Sequence, residues 1–178
     1  MDYGHLEKNI CDTIHEGQVK LGFVEESIRL YYMLSSLNGL LGCEIEHPEQ
    51  MEEALKEFPA FCKERLGEVQ ISRQGVRFCF QVSREGVCYI HASYQENTFL
   101  QELIKVLQTP GCQIEEIKET FEKKSKDMVC EKKTDEEFDY VIYYKDPSID
   151  EFYYCFSIGE MGAYYHRFTE YDYKTVIN

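Results

Sequence analysis

FDYVIYYKDPSIDEFYYCFSIGEMGAYYHRFTEYDY, from Phe138 to Tyr173, holds thirteen of the 25 aromatic residues of the chain. Many of these residues are adjacent, as in Tyr143-Tyr144, and neighbouring residues of a strand point to opposite faces of a sheet. Each pair therefore places one ring on each face. One face can form the core, and the other must be covered by helices, by another subunit or by a ligand. The stretch predicts a sheet with a binding surface, and it indicates no reaction.

Turn sequences divide this stretch into three strands. Asp146-Pro147-Ser148-Ile149-Asp150 and Gly159-Glu160-Met161-Gly162 are typical of tight connections. The spacing predicts strands over 139–145, 151–158 and 163–169, joined as an antiparallel meander.

A second strand region begins at Val69, where apolar and polar residues alternate. Arg84-Glu85-Gly86 is typical of a three-residue hairpin loop. With that loop, Cys79 would lie opposite His91 across the hairpin. The two strand regions form either one mixed sheet or two packed sheets.

Three helices are predicted before the hairpin region. The first has Leu6, Ile10, Ile14 and Leu21 on one face and stops at Gly22. The second runs from Val24 to about Asn38, and the third begins at Pro48 and ends at Gly67. The second is apolar nearly all round, so we expect it to be the central, buried helix. Pro59 predicts a kink or a restart in the third.

Two further helices are predicted after the hairpin region. One is capped by Asn97 and runs to about Leu107. The other begins near Gln113, with a polar side opposite an apolar side formed by Ile114, Ile117, Phe121 and Met128. The whole pattern predicts an α+β fold with N-terminal helices, an antiparallel hairpin region, two more helices and a C-terminal three-stranded antiparallel meander. We expect one domain over residues 1–178.

Composition excludes several classes of protein. A formal charge of −14 repels phosphate backbones, so no nucleic-acid partner is expected. The first residues are polar, and no apolar run reaches the length of a membrane span. We therefore expect a cytoplasmic protein without a membrane partner, and no cofactor motif is present.

Eight cysteines are spread almost evenly along the chain without a Cys-x-x-Cys motif. Most have apolar neighbours, as buried thiols do. We expect all eight to be free, rather than paired as disulfides or bound to metal.

Four patterns allow chemistry, and each has a simpler interpretation. Asp12, His15 and Glu16 have the spacing of a metal site on one helix face, but a solvated polar face is the simpler explanation, and we expect no metal site. Cys-His pairing across a hairpin, Cys79 with His91 or Cys155 with His166, can activate a thiol, whereas strand histidines are more often structural.

An acidic turn is the third pattern. Asp146, Asp150 and Glu151 could hold calcium weakly, although local hydrogen bonding in a turn is sufficient to explain them. Arg167 either binds an anionic ligand or pairs with a neighbouring carboxylate such as Glu151 or Glu170, and the pairing is the simpler interpretation.

The expected function is a binding or protein-interaction module with a tyrosine-rich sheet surface. The expected binding residues lie in the meander: Tyr143, Tyr153, Tyr164, Tyr165, His166 and Arg167. The competing hypothesis is an enzyme without a recognisable motif, acting through His166, Arg167 and nearby carboxylates in a pocket beside the last hairpin. No catalytic role is assigned to any single residue.

Aromatic residues on both strand faces exceed what one core covers, so we expect a homodimer through the meander. A protein partner, a small ligand or a helix of the same chain are the alternatives.

The blocks LGFVEESIRLYYMLSSLNGLLG, residues 21–42, and GAYYHRFTEYDY, residues 162–173, resemble a bacterial family of unknown function from anaerobic, gut-dwelling Gram-positive bacteria. The resemblance spans nearly the whole chain. It implies a single-domain cytoplasmic protein and supplies no catalytic residue.

Overall fold

A computed structural model describes residues 1–23, 25–93, 98–133 and 137–177. By backbone contacts the chain divides into two compact units, Met1–Glu96 and Asn97–Asn178, and each is described by itself. A single domain over the whole chain stays a prediction.

The first unit combines six helices with a three-stranded sheet in its described residues. Its elements are α1 (Tyr3–Leu21), β1 (Ile28–Met33), α2 (Leu34–Leu41), α3 (Pro48–Ala54), α4 (Phe58–Phe61), α5 (Lys63–Leu66), β2 (Val69–Gln74), β3 (Arg77–Val82) and α6 (Arg84–Ser93). The sheet is antiparallel, with β3 between β1 and β2.

Helix α1 confirms the first predicted helix. The Asp2 side chain caps it by accepting a hydrogen bond from the His5 amide at 2.9 Å. Gly22, with φ of 87°, ends it in a conformation that favours glycine. Leu6, Ile10 and Ile14 of the predicted apolar side are buried in the core of the unit, whereas Leu21, predicted on the same side, is 87% exposed.

The predicted central helix over Val24–Asn38 is wrong. Residues 28–33 form strand β1, and helix α2 begins only at Leu34; Val24 lies outside the described residues. Burial along Ile28–Met33 alternates between core and solvent, as in a strand with one buried face. The run contains β-branched and aromatic residues that favour strands, and pairing with β3 fixes it in that form.

The predicted hairpin at Arg84-Glu85-Gly86 is also wrong. Strand β3 pairs with β2 through the tight turn at Gly75-Val76, and its other side is occupied by β1. Neither side of β3 is open to residues 88–92. These residues instead belong to helix α6, which buries Val87 and Ile90.

The third predicted helix is confirmed as a broken helix. It consists of α3, α4 and α5, and the chain restarts next to Pro59 as expected. The predicted apolar stripe is buried throughout: Met51, Leu55, Phe58, Cys62 and Leu66.

The second unit packs two helices on a four-stranded antiparallel sheet. Its elements are α7 (Thr98–Leu107), α8 (Ile114–Lys124), β4 (Met128–Lys132), β5 (Tyr140–Tyr144), β6 (Phe152–Gly159), β7 (Gly162–Thr169), α9 (Glu170–Asp172) and a closing π-helical turn, Tyr173–Ile177. The strand order is β4-β5-β6-β7. Both predicted helices and the three-stranded meander are confirmed. The fifth helix is shorter than predicted, because α8 ends at Lys124 and Met128 belongs to β4, an additional edge strand.

Helices α7 and α8 cover one face of this sheet, which we call the inner face. Phe121 of α8 is fully buried there, with its ring centroid 5.0 Å from those of both Phe99 and Tyr154 in edge-to-face contacts. The Tyr144 hydroxyl donates to the Phe121 carbonyl at 2.8 Å. Gln113 and Glu116 form a capping box that starts α8, whereas the predicted cap Asn97 of α7 lies outside the described residues.

Candidate functional site

The strand register divides the six predicted binding residues between the two faces of the C-terminal sheet. Tyr165 lies opposite Phe156 and Arg167 opposite Tyr154, so both belong to the inner face. His166 lies opposite Cys155 on the other side, which we call the outer face. By the same alternation Tyr143, Tyr153 and Tyr164 lie on the outer face. Four of the six residues therefore share one surface.

The two inner-face residues are part of the packing. Tyr165 is buried, with ring centroids 5.6 Å from Tyr154 and 5.7 Å from Phe156. The Arg167 guanidinium carbon lies 3.9 Å above the ring centre of Phe152, a cation–π contact. Their surroundings give both residues a structural role.

The outer face carries a stack of three tyrosines, Tyr143, Tyr153 and Tyr173. The centroids of Tyr143 and Tyr153 are 4.5 Å apart, those of Tyr153 and Tyr173 are 4.7 Å apart, and the rings are nearly parallel. Tyr173 comes from the closing turn and is buried against the sheet. Part of the outer face is thus covered by the closing turn of the same chain, whereas the fifth predicted helix, α8, lies on the inner face.

The phenols of Tyr143 and Tyr153 remain neutral near neutral pH. Burial, followed by a hydrogen bond that the Tyr143 hydroxyl donates to Glu131 at 2.9 Å, raises the pKa of Tyr143 to about 12. Burial likewise raises the pKa of Tyr153. These groups therefore provide apolar surface and hydrogen-bond donors, and they are not activated nucleophiles.

A second set of rings follows strand β7, and we call Tyr164, His166 and Phe168 the aromatic stripe. The three residues alternate along one face, and Tyr164 is 58% exposed. Phe138 packs beside the stripe, 5.7 Å from His166 and 6.1 Å from Phe168 between ring centroids. Sequence reasoning missed Phe168, although its spacing from Tyr164 and His166 was the available signal.

Strand β7 is one of the two edge strands of the sheet in the described part of the chain. The stripe therefore lies beside the backbone groups at the open side of β7. An aromatic surface next to a free strand edge can accept another strand and its side chains.

The two Cys-His hypotheses have different outcomes. Cys155 and His166 are directly opposite each other, as the register predicted, but Cys155 is 0% exposed and its thiol is closed to a substrate. Cys79 lies opposite Tyr31 and Ser72, so its pairing with His91 is wrong. His91 instead stacks on Phe23, with centroids 3.8 Å apart.

The polar positions of α1 are more buried than the sequence suggested. His15 and Glu16 are both buried, so the interpretation as a solvated face is wrong for them. Asp12 accepts from Lys8 at 2.9 Å, and Glu16 from Lys20 at 2.7 Å. Across the described ranges, no group of three or more His, Cys, Asp or Glu side chains is placed to hold a metal ion.

The acidic turn follows its simpler interpretation. The Asp150 carboxylate accepts from Lys124 Nζ at 2.7 Å, from the Tyr154 hydroxyl at 2.9 Å and from the Phe152 amide at 3.1 Å. Asp146 accepts from the Ser148 amide at 2.9 Å. Local hydrogen bonds account for both carboxylates.

The first unit contains a concave pocket that sequence reasoning did not predict. It has a volume of about 380 Å³ and lies between α1 and β1, with Ile14, Leu21, Ile28 and Leu30 among its mainly apolar lining. Glu26 is its charged lining residue. The pocket can admit a small apolar molecule, but one carboxylate at its margin provides no acid-base pair.

The two antiparallel sheets and the exposed aromatic stripe define a mixed helix-and-sheet protein without a recognisable catalytic constellation among its described residues. The chain belongs to the family described as "Domain of unknown function, E. rectale Gene description (DUF3877)", whose model matches residues 3–177. This match confirms the predicted resemblance to an uncharacterised family of gut bacteria. Comparison with curated proteins and with solved structures gives no match. None of the described helices has both the length and the apolarity to cross a membrane.

Proposed function

We propose that this chain is a protein-interaction module that binds a second copy of itself through the aromatic stripe and the edge of β7. One observation carries the proposal: Tyr164 is 58% exposed within a row of rings on an edge strand. The ring of a tyrosine at that position can be buried against a partner, while its hydroxyl stays hydrogen-bonded to water at the margin of the interface.

The composition of β7 supports strand pairing. Natural edge strands are usually short, or they carry proline or lysine that blocks pairing with another chain. Strand β7 is eight residues long, and its sequence GAYYHRFT contains neither proline nor lysine. Antiparallel pairing of two β7 strands about a two-fold axis would join two four-stranded sheets into one of eight strands.

The local charge at β7 does not oppose this contact. The chain carries 33 acidic residues and a formal charge of −14, which opposes self-association in general. Strand β7 contains no carboxylate, and its basic residues are His166 and Arg167. Two copies that meet at β7 would therefore keep their acidic groups away from the centre of the interface.

The enzyme alternative loses its main support. It relied on His166 and Arg167 acting together, and the register places them on opposite faces of the sheet. A small ligand or a different protein on the stripe remains an outcome of the experiment below. A cytoplasmic location is part of the proposal, supported by eight cysteines that are all free.

Photo-crosslinking tests the proposal directly. The photoreactive residue p-benzoylphenylalanine replaces Tyr164 in one variant and Tyr31 in a matched control, because Tyr31 is 53% exposed on a sheet of the first unit. Irradiation of the purified protein should give a covalent dimer with the variant at 164 and little with the control. Equal dimer yields, or no dimer from either variant, would contradict self-association through the stripe. If a different molecule is crosslinked at position 164 in cells, the stripe is a binding surface, but its partner is that molecule and not a second copy of the chain.

A further inference from the structure

The open face of the N-terminal sheet differs in composition from the rest of this acidic chain. Nine residues alternate with the core positions of β1, β2 and β3 and form what we call the N-terminal open face. They are Arg29, Tyr31, Met33, Gln70, Ser72, Gln74, Arg77, Cys79 and Gln81. None of the nine carries a carboxylate, and eight of them are exposed or half-buried, with Cys79 buried.

Other arginines of this unit are neutralised by carboxylates. Arg73 contacts both Glu49 at 2.9 Å and Glu52 at 3.1 Å. Arg84 forms an ion pair with Glu25.

The two arginines of the N-terminal open face lack such partners. Arg29 donates to the neutral Gln81 side chain at 3.2 Å. Within residues 1–23, 25–93, 98–133 and 137–177, neither Arg29 nor Arg77 has a carboxylate oxygen within 4.0 Å, although the chain has 33 acidic residues. Two exposed guanidinium groups on an acid-free face are suited to carboxylate groups of a partner, because a guanidinium binds a carboxylate through two parallel hydrogen bonds.

The register fixes the spacing of these two cations. Arg29 lies opposite Gln81, and Arg77 is four residues from Gln81 on β3. Four residues of a strand span about 13 Å at 3.3 to 3.4 Å per residue. Tyr31, opposite Cys79, lies midway between the two ends.

We propose that the N-terminal open face binds an extended acidic protein segment with the pattern acid-x-apolar-x-acid. In an extended chain, residues i, i+2 and i+4 point to the same side and repeat the spacing of the face. The two acids would meet Arg29 and Arg77, and the apolar residue between them would cover Tyr31. A nucleic acid is disfavoured, because two cations on a flat face do not form the continuous basic groove that follows a phosphate backbone.

Titration with a defined peptide tests this inference. The probe is the blocked peptide Glu-Thr-Val-Thr-Glu, and its uncharged counterpart is Gln-Thr-Val-Thr-Gln. Nitrogen-15 NMR should show the Nε–H signals of Arg29 and Arg77 shifting with the acidic peptide and not with its counterpart. Arg29→Gln or Arg77→Gln should weaken binding at least about fivefold, as expected for loss of a charge-assisted hydrogen bond.

Arg84→Gln is the matched control, since it removes the same charge from the same unit at a residue that already has a carboxylate partner. It should change the affinity by less than about twofold. If all three variants weaken peptide binding equally, the affinity depends only on the net charge of the protein, and this result would overturn the inference. Absence of shifts at the highest soluble peptide concentration would overturn it as well. If inorganic phosphate binds more tightly than the peptide, the face is a site for a small anion, and this result would contradict the proposed partner.

Discussion

Adding one methyl group at Gly86 tests the packing of α6 most sharply. An alanine Cβ at this position would lie 2.1 Å from the Leu66 carbonyl oxygen and 2.9 Å from Val82 Cγ1. The nearer obstacle is backbone, so α5 and α6 would have to move apart. Two effects then oppose each other in the free energy of unfolding.

The steric effect should dominate at Gly86. Replacing glycine by alanine inside a helix normally stabilises by about 0.5 to 1 kcal/mol. Overpacking a filled site costs about 1 to 3 kcal/mol, and a backbone obstacle favours the upper part of that range. We expect Gly86→Ala to lower the free energy of unfolding by about 2 kcal/mol.

Gly17→Ala is the matched control in the same unit. Gly17 lies inside α1, and an added Cβ there would meet no atom within 4 Å. It should raise the free energy of unfolding by about 0.5 to 1 kcal/mol. Urea unfolding followed by far-ultraviolet circular dichroism measures both variants. If Gly86→Ala stabilises as much as Gly17→Ala, α6 does not pack on α5 as described.

Three further predictions concern the core and the thiols. Leu37→Ala removes a fully buried side chain and should lower the free energy of unfolding, measured in urea, by about 2 to 5 kcal/mol. Leu34→Ala, at a partly buried position, should lower it clearly less. The reverse order would contradict the placement of α2. Alkylation of the denatured protein without reductant should add eight groups, and a smaller number that recovers after reduction would reveal a disulfide. Burial raises the pKa of Cys11 to about 11 and of Cys62 to about 12, so the folded protein holds these protons more tightly than the unfolded chain. The free energy of unfolding should therefore be insensitive to these thiols below pH 8 and fall as the pH rises from about 9 towards 12; a constant value across alkaline pH would contradict this.

Local signals were sufficient for elements that carry their own boundaries. Helix α1 ends at Gly22, α8 begins with the capping pair Gln113 and Glu116, and the meander is divided by glycine and proline turns. In these elements periodicity and turn residues agree, so the prediction needed no knowledge of distant contacts.

The failures have a common physical cause, which is competition for β3. Ile28–Met33 is a short apolar run that fits either a helix or a strand by pattern alone. Pairing with β3 decides in favour of the strand, and occupation of both sides of β3 leaves residues 84–93 to form a helix. Such competition depends on contacts some fifty residues away in sequence. Strand β4 was missed because its first residue, Met128, continues the apolar spacing of α8 and was therefore assigned to that helix.

The candidate site was only partly readable from the sequence. Alternation along β7 was sufficient to separate Tyr164 and His166 from Tyr165 and Arg167, because neighbouring residues of a strand face opposite ways. The cover that Tyr173 provides on the tyrosine stack was not readable, since it depends on how the closing turn folds back on the sheet.

Analytical ultracentrifugation tests the central claim, self-association through β7, most directly. Sedimentation of the native chain over about a hundredfold range of concentration should show the average mass rising from the monomer value of 21.1 kDa towards twice that value. Tyr164→Glu should keep the chain at the monomer mass, because it places a carboxylate of each copy beside the two-fold axis. Tyr31→Glu, the same change at a similarly exposed tyrosine, should sediment like the native chain. A native chain that stays at the monomer mass into high micromolar concentrations, or a dimer that Tyr164→Glu leaves intact, would contradict the account.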